Sequence, residues 1–204
     1  MTVPSPQLDP LYVAARRVLL DALDALVNHR DAIVLAGAQA VYVRTGAADL
    51  DASVSPYTSD ADLAIDPRLL GPDPRLEDAM RTAGFHLLLQ PNGRTEPGIW
   101  TTTAIVNDAE VQIPVDLLVP DALIVGGGRR SARLPHHGAN AARRTPGLEA
   151  AVVDCGPVMI SSLEPQADAR RTTNASPAPA ACSSPRRTRS TTGSEKWNGA
   201  ETSG

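Results

Sequence analysis

The chain divides into two parts of unlike composition, and this division limits the possible folds more than any other feature. Leu163 is the last Val, Leu, Ile, Met, Phe or Tyr, and Ser, Thr, Pro, Ala and Arg dominate from Glu164 to Gly204. A segment of that composition buries too little apolar surface to offset the entropy lost on ordering. The sequence therefore predicts one folded domain over residues 1–163 and a disordered tail over residues 164–204.

A second interpretation of the tail is that it is a frameshifted product. When the chain from Arg171 onward is back-translated with GC-rich codons and shifted in frame, the new string contains a GPGG turn. Apolar residues at helical spacing and several lysines follow that turn, which is the pattern of an amphipathic helix. Under this hypothesis a C-terminal helix has been lost, and sequencing the gene would test it.

The first part alternates short apolar runs with amphipathic segments. Only 3% of residues are aromatic, so the core must be aliphatic. Mixed elements in this order predict an α/β (α+β) domain with a mixed central sheet and flanking helices. The patterns predict helices over 11–29, 38–44 and 74–83, strands over 32–36, 61–65, 85–89, 99–106 and 111–119, and lesser elements over 122–125, 147–153 and 158–161.

Charge, cysteines and the start of the chain indicate a cytoplasmic protein. A net charge of -4 offers no general attraction to nucleic acid or anionic membranes. Cys155 and Cys182 show no CxxC spacing, so neither a zinc site nor a disulfide framework is indicated. The opening MTVPSPQLDP lacks the features of a signal peptide, and no apolar run approaches the length of a membrane span.

Three aspartates are the candidate catalytic and metal-binding residues. Asp60 and Asp62 are two residues apart at a strand start, so both side chains should point to one face. Asp116 lies in the apolar run Val115 to Val119, where a charge needs a partner or a metal. Paired carboxylates suit Mg²⁺. The alternatives are a solvated strand start for the first two and a solvent-facing edge strand for Asp116.

A turn after the first strand is a candidate phosphate site. Gly37, Ala38 and Gln39 follow the buried run Ala32 to Ala36 and open a helix. Free N–H groups and the positive dipole end at a helix start attract phosphate. Taken alone, a glycine between a strand and a helix is usually only a structural turn.

Together these residues resemble the polymerase-β-type nucleotidyltransferase superfamily. The matching stretches are LAGAQAVYVRTG, YTSDADLAID and IPVDLLV, in that order, over about Ile33 to Val119. The chain is also similar to the small prokaryotic AbiEii-like nucleotidyltransferases, some of which are toxins of toxin–antitoxin pairs. Ala38 stands where the family has a second glycine or serine, and the single lysine, Lys196, lies in the tail.

The resemblance implies a two-metal Mg²⁺ enzyme that transfers a nucleoside monophosphate from a nucleoside triphosphate to an acceptor hydroxyl. Asp60, Asp62 and Asp116 would hold the metals, and Asp116 would also activate the acceptor. Gly37, Ala38 and Gln39 would cradle the β and γ phosphates. Thr58 and Ser59 would bind phosphate or a metal-bound water, or else cap the turn. The acceptor would be RNA, a protein or a small molecule, with an antitoxin protein as partner in the toxin case.

Five arginines are further phosphate candidates, and two histidines are assigned to a loop. If the acceptor is RNA, the arginines would contact its backbone; taken one at a time, they are more typical of a solvated surface loop. His136 and His137 are adjacent, so they point in opposite directions in an extended chain and are interpreted as loop residues. The arginines are Arg129, Arg130, Arg133, Arg143 and Arg144.

Three hypotheses for function remain open at this stage. The first is an active nucleotidyltransferase. The second is an inactive product of a damaged gene that keeps the nucleotidyltransferase fold without its C-terminal helix. The third is a non-enzymatic binding partner, such as a module of a toxin–antitoxin system.

Overall fold

The computed structural model describes residues 8–45, 57–126 and 130–178, and it confirms a mixed α/β architecture with a mixed central sheet. Two 3-10 helices, Val27–Ala32 and Asp121–Leu123, supplement the regular elements. The α-helices are α1 (Pro10–Ala25), α2 (Gly37–Thr45), α3 (Leu76–Thr82) and α4 (Glu149–Val153). The strands are β1 (Ile33–Ala36), β2 (Ala61–Ile65), β3 (His86–Leu89), β4 (Thr95–Val106), β5 (Ala109–Pro120), β6 (Ser131–Leu134), β7 (Gly138–Thr145), β8 (Cys155–Ser161) and β9 (Arg171–Pro177).

Helix α1 begins where its capping residues predict and ends earlier than its apolar pattern suggests. The Asp9 carboxylate accepts hydrogen bonds from the N–H groups of Leu11, at 2.8 Å, and Tyr12, at 3.3 Å. These bonds satisfy donors that have no partner within the helix. The α-helix stops at Ala25, and a 3-10 helix with a kink at His29 carries the chain into β1. Among the described residues, no helix is both long and apolar enough to cross a membrane.

The sheet combines parallel and antiparallel neighbours. Its main order is β3-β4-β5-β2-β1-β9-β8, and β7 pairs with both β5 and β6. The pairs β2–β5, β5–β7 and β1–β9 are parallel, and the other pairs are antiparallel. The long strand β5 therefore has β2 on one edge, while β4 and then β7 share the other edge.

The β4–β5 hairpin and the change from β4 to β7 each depend on special backbone positions. The predicted hairpin turn is confirmed at Asn107 and Asp108, whose φ angles of 50° and 62° match the twist of a two-residue turn. At the other end of β4, a Cβ on Gly98 would lie 2.4 Å from the Arg143 nitrogen and 2.8 Å from the Leu117 oxygen. Only a residue without a side chain allows β4, β5 and β7 to approach this closely.

The two faces of the sheet are covered unequally. One face, which we call the α1 face, carries the large aliphatic cluster with α1 and α3, including Leu35, Leu63 and Leu117. The opposite face, the α4 face, carries a small cluster in which Val152 of α4 packs on Val34, Ala36 and Ala64. Because side chains alternate along a strand, Asp62 and Asp116 belong to the less covered α4 face.

The structure contradicts the predicted disorder over part of the tail. Residues 171–177 form β9, which pairs with β1 and β8. Asn174 is 4% exposed and its side-chain amide donates to the Ile33 carbonyl at 2.9 Å. The boundary predicted at residue 163 is therefore wrong, since polar residues enter the sheet through hydrogen bonds rather than apolar burial. Residues 179–204 lie outside the described part of the chain.

Candidate functional site

Two of the three candidate aspartates are direct neighbours in the sheet. Asp62 on β2 is opposite Asp116 on β5 in the parallel register. Neighbouring strands are about 4.8 Å apart, so paired residues present their side chains side by side on one face. Asp60 comes two residues before Asp62, at the same end of β2. The structure therefore brings these acids together on the α4 face.

The glycine turn after β1 lies against the same carboxylates. Ala36, the last residue of β1, is opposite Asp62, and Gly37 begins α2 with a φ of +64°. A Cβ on Gly37 would lie 1.9 Å from the Asp62 Oδ2 atom. Any side chain at residue 37 would therefore have to displace Asp62 or the start of the helix. Gly37 is exposed and Ala38 half-buried, so both can be reached from solvent.

Thr58 holds Asp60 in place. The Thr58 hydroxyl donates to the Asp60 Oδ1 atom at 2.5 Å, and Thr58 is 7% exposed. The sequence left two roles open for Thr58, which were binding phosphate or a metal-bound water and capping the turn. The observed contact is a local one within the turn. Ser59 is half-buried between them.

Arg143 on β7 is the cationic member of the cluster. Its backbone is opposite Leu118 in the parallel β5–β7 register, and its guanidinium forms an ion pair with the Asp116 carboxylate. The side chains of Asp116 and Arg143 are 13% and 34% exposed. Sequence analysis placed Arg143 among the phosphate candidates and did not associate it with Asp116. The two residues are 27 positions apart, and no periodicity reveals a pairing between parallel strands.

Burial and mutual repulsion make the cluster electrostatically unfavourable. Burial first, and then the charges of Asp60 and Asp116, raise the pKa of Asp62 to about 6 against the opposing effect of Arg143. Burial also raises the pKa of Asp116, because it outweighs the ion pair with Arg143. Carboxylates that share a site in this way resist ionisation unless a cation accompanies them.

The donor chemistry of the cluster matches Mg²⁺, although the side chains do not converge as metal ligands. Three carboxylates supply the hard oxygen donors that Mg²⁺ prefers. Yet among residues 8–45, 57–126 and 130–178, no group of three or more acidic, His or Cys side chains has the geometry to hold a metal ion. Two of the three carboxylates are engaged by other side chains, since Arg143 contacts Asp116 and Thr58 donates to Asp60.

Gln39 does not face the aspartates as a phosphate ligand would. It is 1% exposed, and its Oε1 atom accepts from the Arg16 Nε at 2.8 Å. Arg16, itself 4% exposed, also donates to the Tyr12 hydroxyl at 3.0 Å and to the Ser161 carbonyl at 3.1 Å. The side chain of Gln39 therefore joins α2 to α1, and only Gly37 and Ala38 offer accessible backbone at the helix start.

The other phosphate candidates among the arginines are in surface contacts. Arg130 pairs with Glu96 at 2.9 Å, Arg144 pairs with Asp121 at 2.6 Å, and Arg133 is exposed on β6. Arg129 lies outside the described residues. Of this group, the structure associates Arg143 with the aspartates.

The two histidines lie at the turn between β6 and β7, as their assignment to a loop predicts, although the chain there is not extended. His136 is exposed with a φ of +70°, whereas His137 is 2% exposed and stacks edge-on against His29, with ring centroids 5.4 Å apart. The His137 Nδ1 atom accepts from the Leu76 N–H at 3.3 Å. Burial, and then the charge of His29, lowers the pKa of His137. These contacts join the turn between β6 and β7 to the 3-10 helix at His29 and to the start of α3 at Leu76.

A cavity of about 700 Å³ lies beside that hairpin, away from the aspartates. Its lining includes Asp73, Arg75, Arg133 and His136. The cavity is widely open to solvent, and the Arg75 Nε–H donates a hydrogen bond to the His136 carbonyl at 3.0 Å. Half of its lining residues are charged or titratable, but Asp73 is the single carboxylate among them, so the paired acids of the aspartate cluster make that cluster the better candidate for a metal site.

No family model, curated protein or solved structure matches the chain. The case for a function therefore depends on the residues and their arrangement alone.

Proposed function

We propose that this chain is a metal-dependent nucleotidyltransferase that moves a nucleoside monophosphate from a nucleoside triphosphate to an acceptor hydroxyl. The observation that carries the proposal is the parallel pairing of Asp62 with Asp116 on one face, beside the start of α2 at Gly37. This arrangement is the one that the resemblance to the polymerase-β-type superfamily implies. The acceptor is RNA, a protein or a small molecule, and the AbiEii-like resemblance favours a toxin–antitoxin context.

In this proposal the chain positions its substrates and accepts one proton from the acceptor hydroxyl. The N–H groups of Gly37 and Ala38 bind the terminal phosphates at the start of α2. Asp60, Asp62 and Asp116 would hold Mg²⁺, which would offset phosphate charge and favour ionisation of the acceptor hydroxyl.

Asp116 accepts the proton of that hydroxyl. The hydroxyl oxygen bonds to the α-phosphorus as the bond to pyrophosphate breaks, which releases pyrophosphate.

The direct experiment is transfer of label from α-³²P nucleoside triphosphates to cellular RNA and protein in the presence of Mg²⁺. The intact chain should label one class of acceptor, and Asp116→Asn should label none while remaining folded. Asp121→Asn is the matched control, because Asp121 is an acid just beyond β5 that pairs with Arg144. It should label as the intact chain does.

Other outcomes would favour the remaining hypotheses. Stabilisation of the fold by nucleotide without any transfer would indicate an inactive protein that keeps the binding site. No effect of nucleotide, together with tight association with the product of a neighbouring gene, would indicate a binding module. Either result would contradict the proposed catalysis.

A further inference from the structure

Arg143 occupies a position that the proposed reaction does not yet explain. Of the charged side chains described, it is the cation that contacts the aspartate cluster, through Asp116. Its own Nε atom is buried and has no hydrogen-bond partner among the described residues. A buried donor without an acceptor costs free energy. The contact with Asp116 uses the Nη2 atom of Arg143, so it leaves the Nε–H without an acceptor in the described part of the chain.

The backbone of Arg143 is fixed, so only its side chain can move. Strand β7 is held parallel to β5 at the pairs from Leu118 to Pro120, and Gly98 closes against the Arg143 nitrogen. The side chain remains 34% exposed, which leaves room on the solvent side. From a fixed backbone, the guanidinium can contact Asp116 or turn outward on the same face.

We propose that Arg143 is a built-in counter-cation of the aspartate cluster: a divalent cation displaces it from Asp116, and the freed guanidinium then binds a phosphate group of the nucleotide. This inference rests on the proposed function and deepens it. It explains why the carboxylates do not converge, since Asp116 is turned to Arg143. It also supplies an acceptor for the free Nε–H, because a phosphate accepts two parallel bonds from a guanidinium.

The charges of the cluster agree with this exchange. Three carboxylates face a single guanidinium, so the site keeps a net negative charge that attracts a divalent cation. Once a triphosphate arrives, a guanidinium on the same face opposes its charge. A lysine would supply the charge but not the planar fork that binds phosphate through two bonds.

The test measures Mn²⁺ binding by electron paramagnetic resonance and binding of inorganic tripolyphosphate in excess Mg²⁺ by calorimetry, neither of which requires turnover. Arg143→Ala should bind Mn²⁺ about tenfold more tightly, because the competing charge is gone. It should bind tripolyphosphate about ten- to a hundredfold more weakly. Arg143→Lys should bind Mn²⁺ much as the intact chain does and still lose phosphate affinity.

Arg144→Ala is the matched control, since Arg144 is the next residue on β7 and pairs with Asp121. It should change neither affinity. If Arg143→Ala binds Mn²⁺ no more tightly than the intact chain, or keeps full affinity for tripolyphosphate, the exchange is refuted while the proposed function stands. If the affinities shift as expected but no label is transferred, the proposed function fails and the exchange stands. If no variant binds Mn²⁺, both are wrong.

Discussion

Replacing Gly37 with alanine tests the link between the glycine turn and the aspartates. Two costs follow from the structure. The first is backbone strain, because Gly37 has a φ of +64° and an L-residue in that region costs about 1–2 kcal/mol. The second is a collision, because the new Cβ would lie 1.9 Å from Asp62 Oδ2, whereas ordinary contact begins at 3.4 Å. The carboxylate or the helix start must therefore move by the difference, about 1.5 Å.

Such a displacement should affect the site more than the fold. The strain alone should lower the melting temperature by about 2–8 °C. Catalytic groups tolerate displacements of only about 0.5 Å, so Gly37→Ala should lose Mn²⁺ affinity and about a hundredfold in any transfer rate. Thermal unfolding and Mn²⁺ titration measure the two effects separately.

Gly84→Ala provides the control for strain without collision. Gly84 has a φ of +86°, and a Cβ there would meet nothing within 4 Å. This variant should lose a similar amount of stability and keep its Mn²⁺ affinity. The reasoning is refuted if Gly37→Ala binds Mn²⁺ like the intact chain, or if both variants lose affinity equally.

Three further predictions concern stability. The pKa of Asp62 is about 6 in the folded state and 3.8 in the unfolded state, so the stability that protonated Asp62 contributes is lost as the pH rises from 3.8 through 6. Asp62→Asn should therefore be more stable than the intact chain at about pH 8, by up to about 3 kcal/mol, and equally stable at about pH 4. Denaturation midpoints of the variant and the intact chain that are equal at both pH values would contradict this. Asn174→Ala should lose about 1–3 kcal/mol in chemical denaturation, because the Ile33 carbonyl loses its donor; no loss would show that this hydrogen bond does not stabilise β9 in the sheet. Because the pKa of His137 is lowered below 6.5, stability should fall as the pH drops through that value. His137→Gln, studied in the Asp62→Asn background, should flatten this dependence, and an unchanged slope would exclude His137 as the cause.

The sequence predicted elements whose burial depends on large apolar side chains. Strand β2 was predicted at its observed bounds, Ala61–Ile65, and the β4–β5 hairpin followed from β-branched runs around Asn107 and Asp108. Strands β6, β7 and β9 escaped prediction because they contain few large apolar residues. These strands are held in the sheet by contacts with other strands, some of them distant in sequence, as in the hydrogen bond from the Asn174 side chain to the Ile33 carbonyl.

The sequence predicts parts of the site that depend on the spacing of residues along one strand. It does not predict contacts between residues on different strands, which depend on how the strands are ordered in the sheet. Asp60 and Asp62 were expected on one face because strand side chains alternate, and Asp60 is close enough for its charge to raise the Asp62 pKa. The contact of Arg143 with Asp116 depends on β7 replacing β4 along β5 beyond Gly98, which no local pattern reveals. Gln39 was assigned to phosphate from its position after the glycine, whereas its side chain turns to Arg16.

The parallel pairing of β1 with β9 has a consequence during protein synthesis. Strand β1 is translated early, and its partner arrives only when residues 171–177 have left the ribosome. Until then the nascent chain presents one side of β1 as an open edge, a template for wrong pairing with other chains. Contacts between such distant residues also form slowly, because a long loop must close first. A chaperone that shields this edge should therefore raise the yield of folded protein more than slower growth alone.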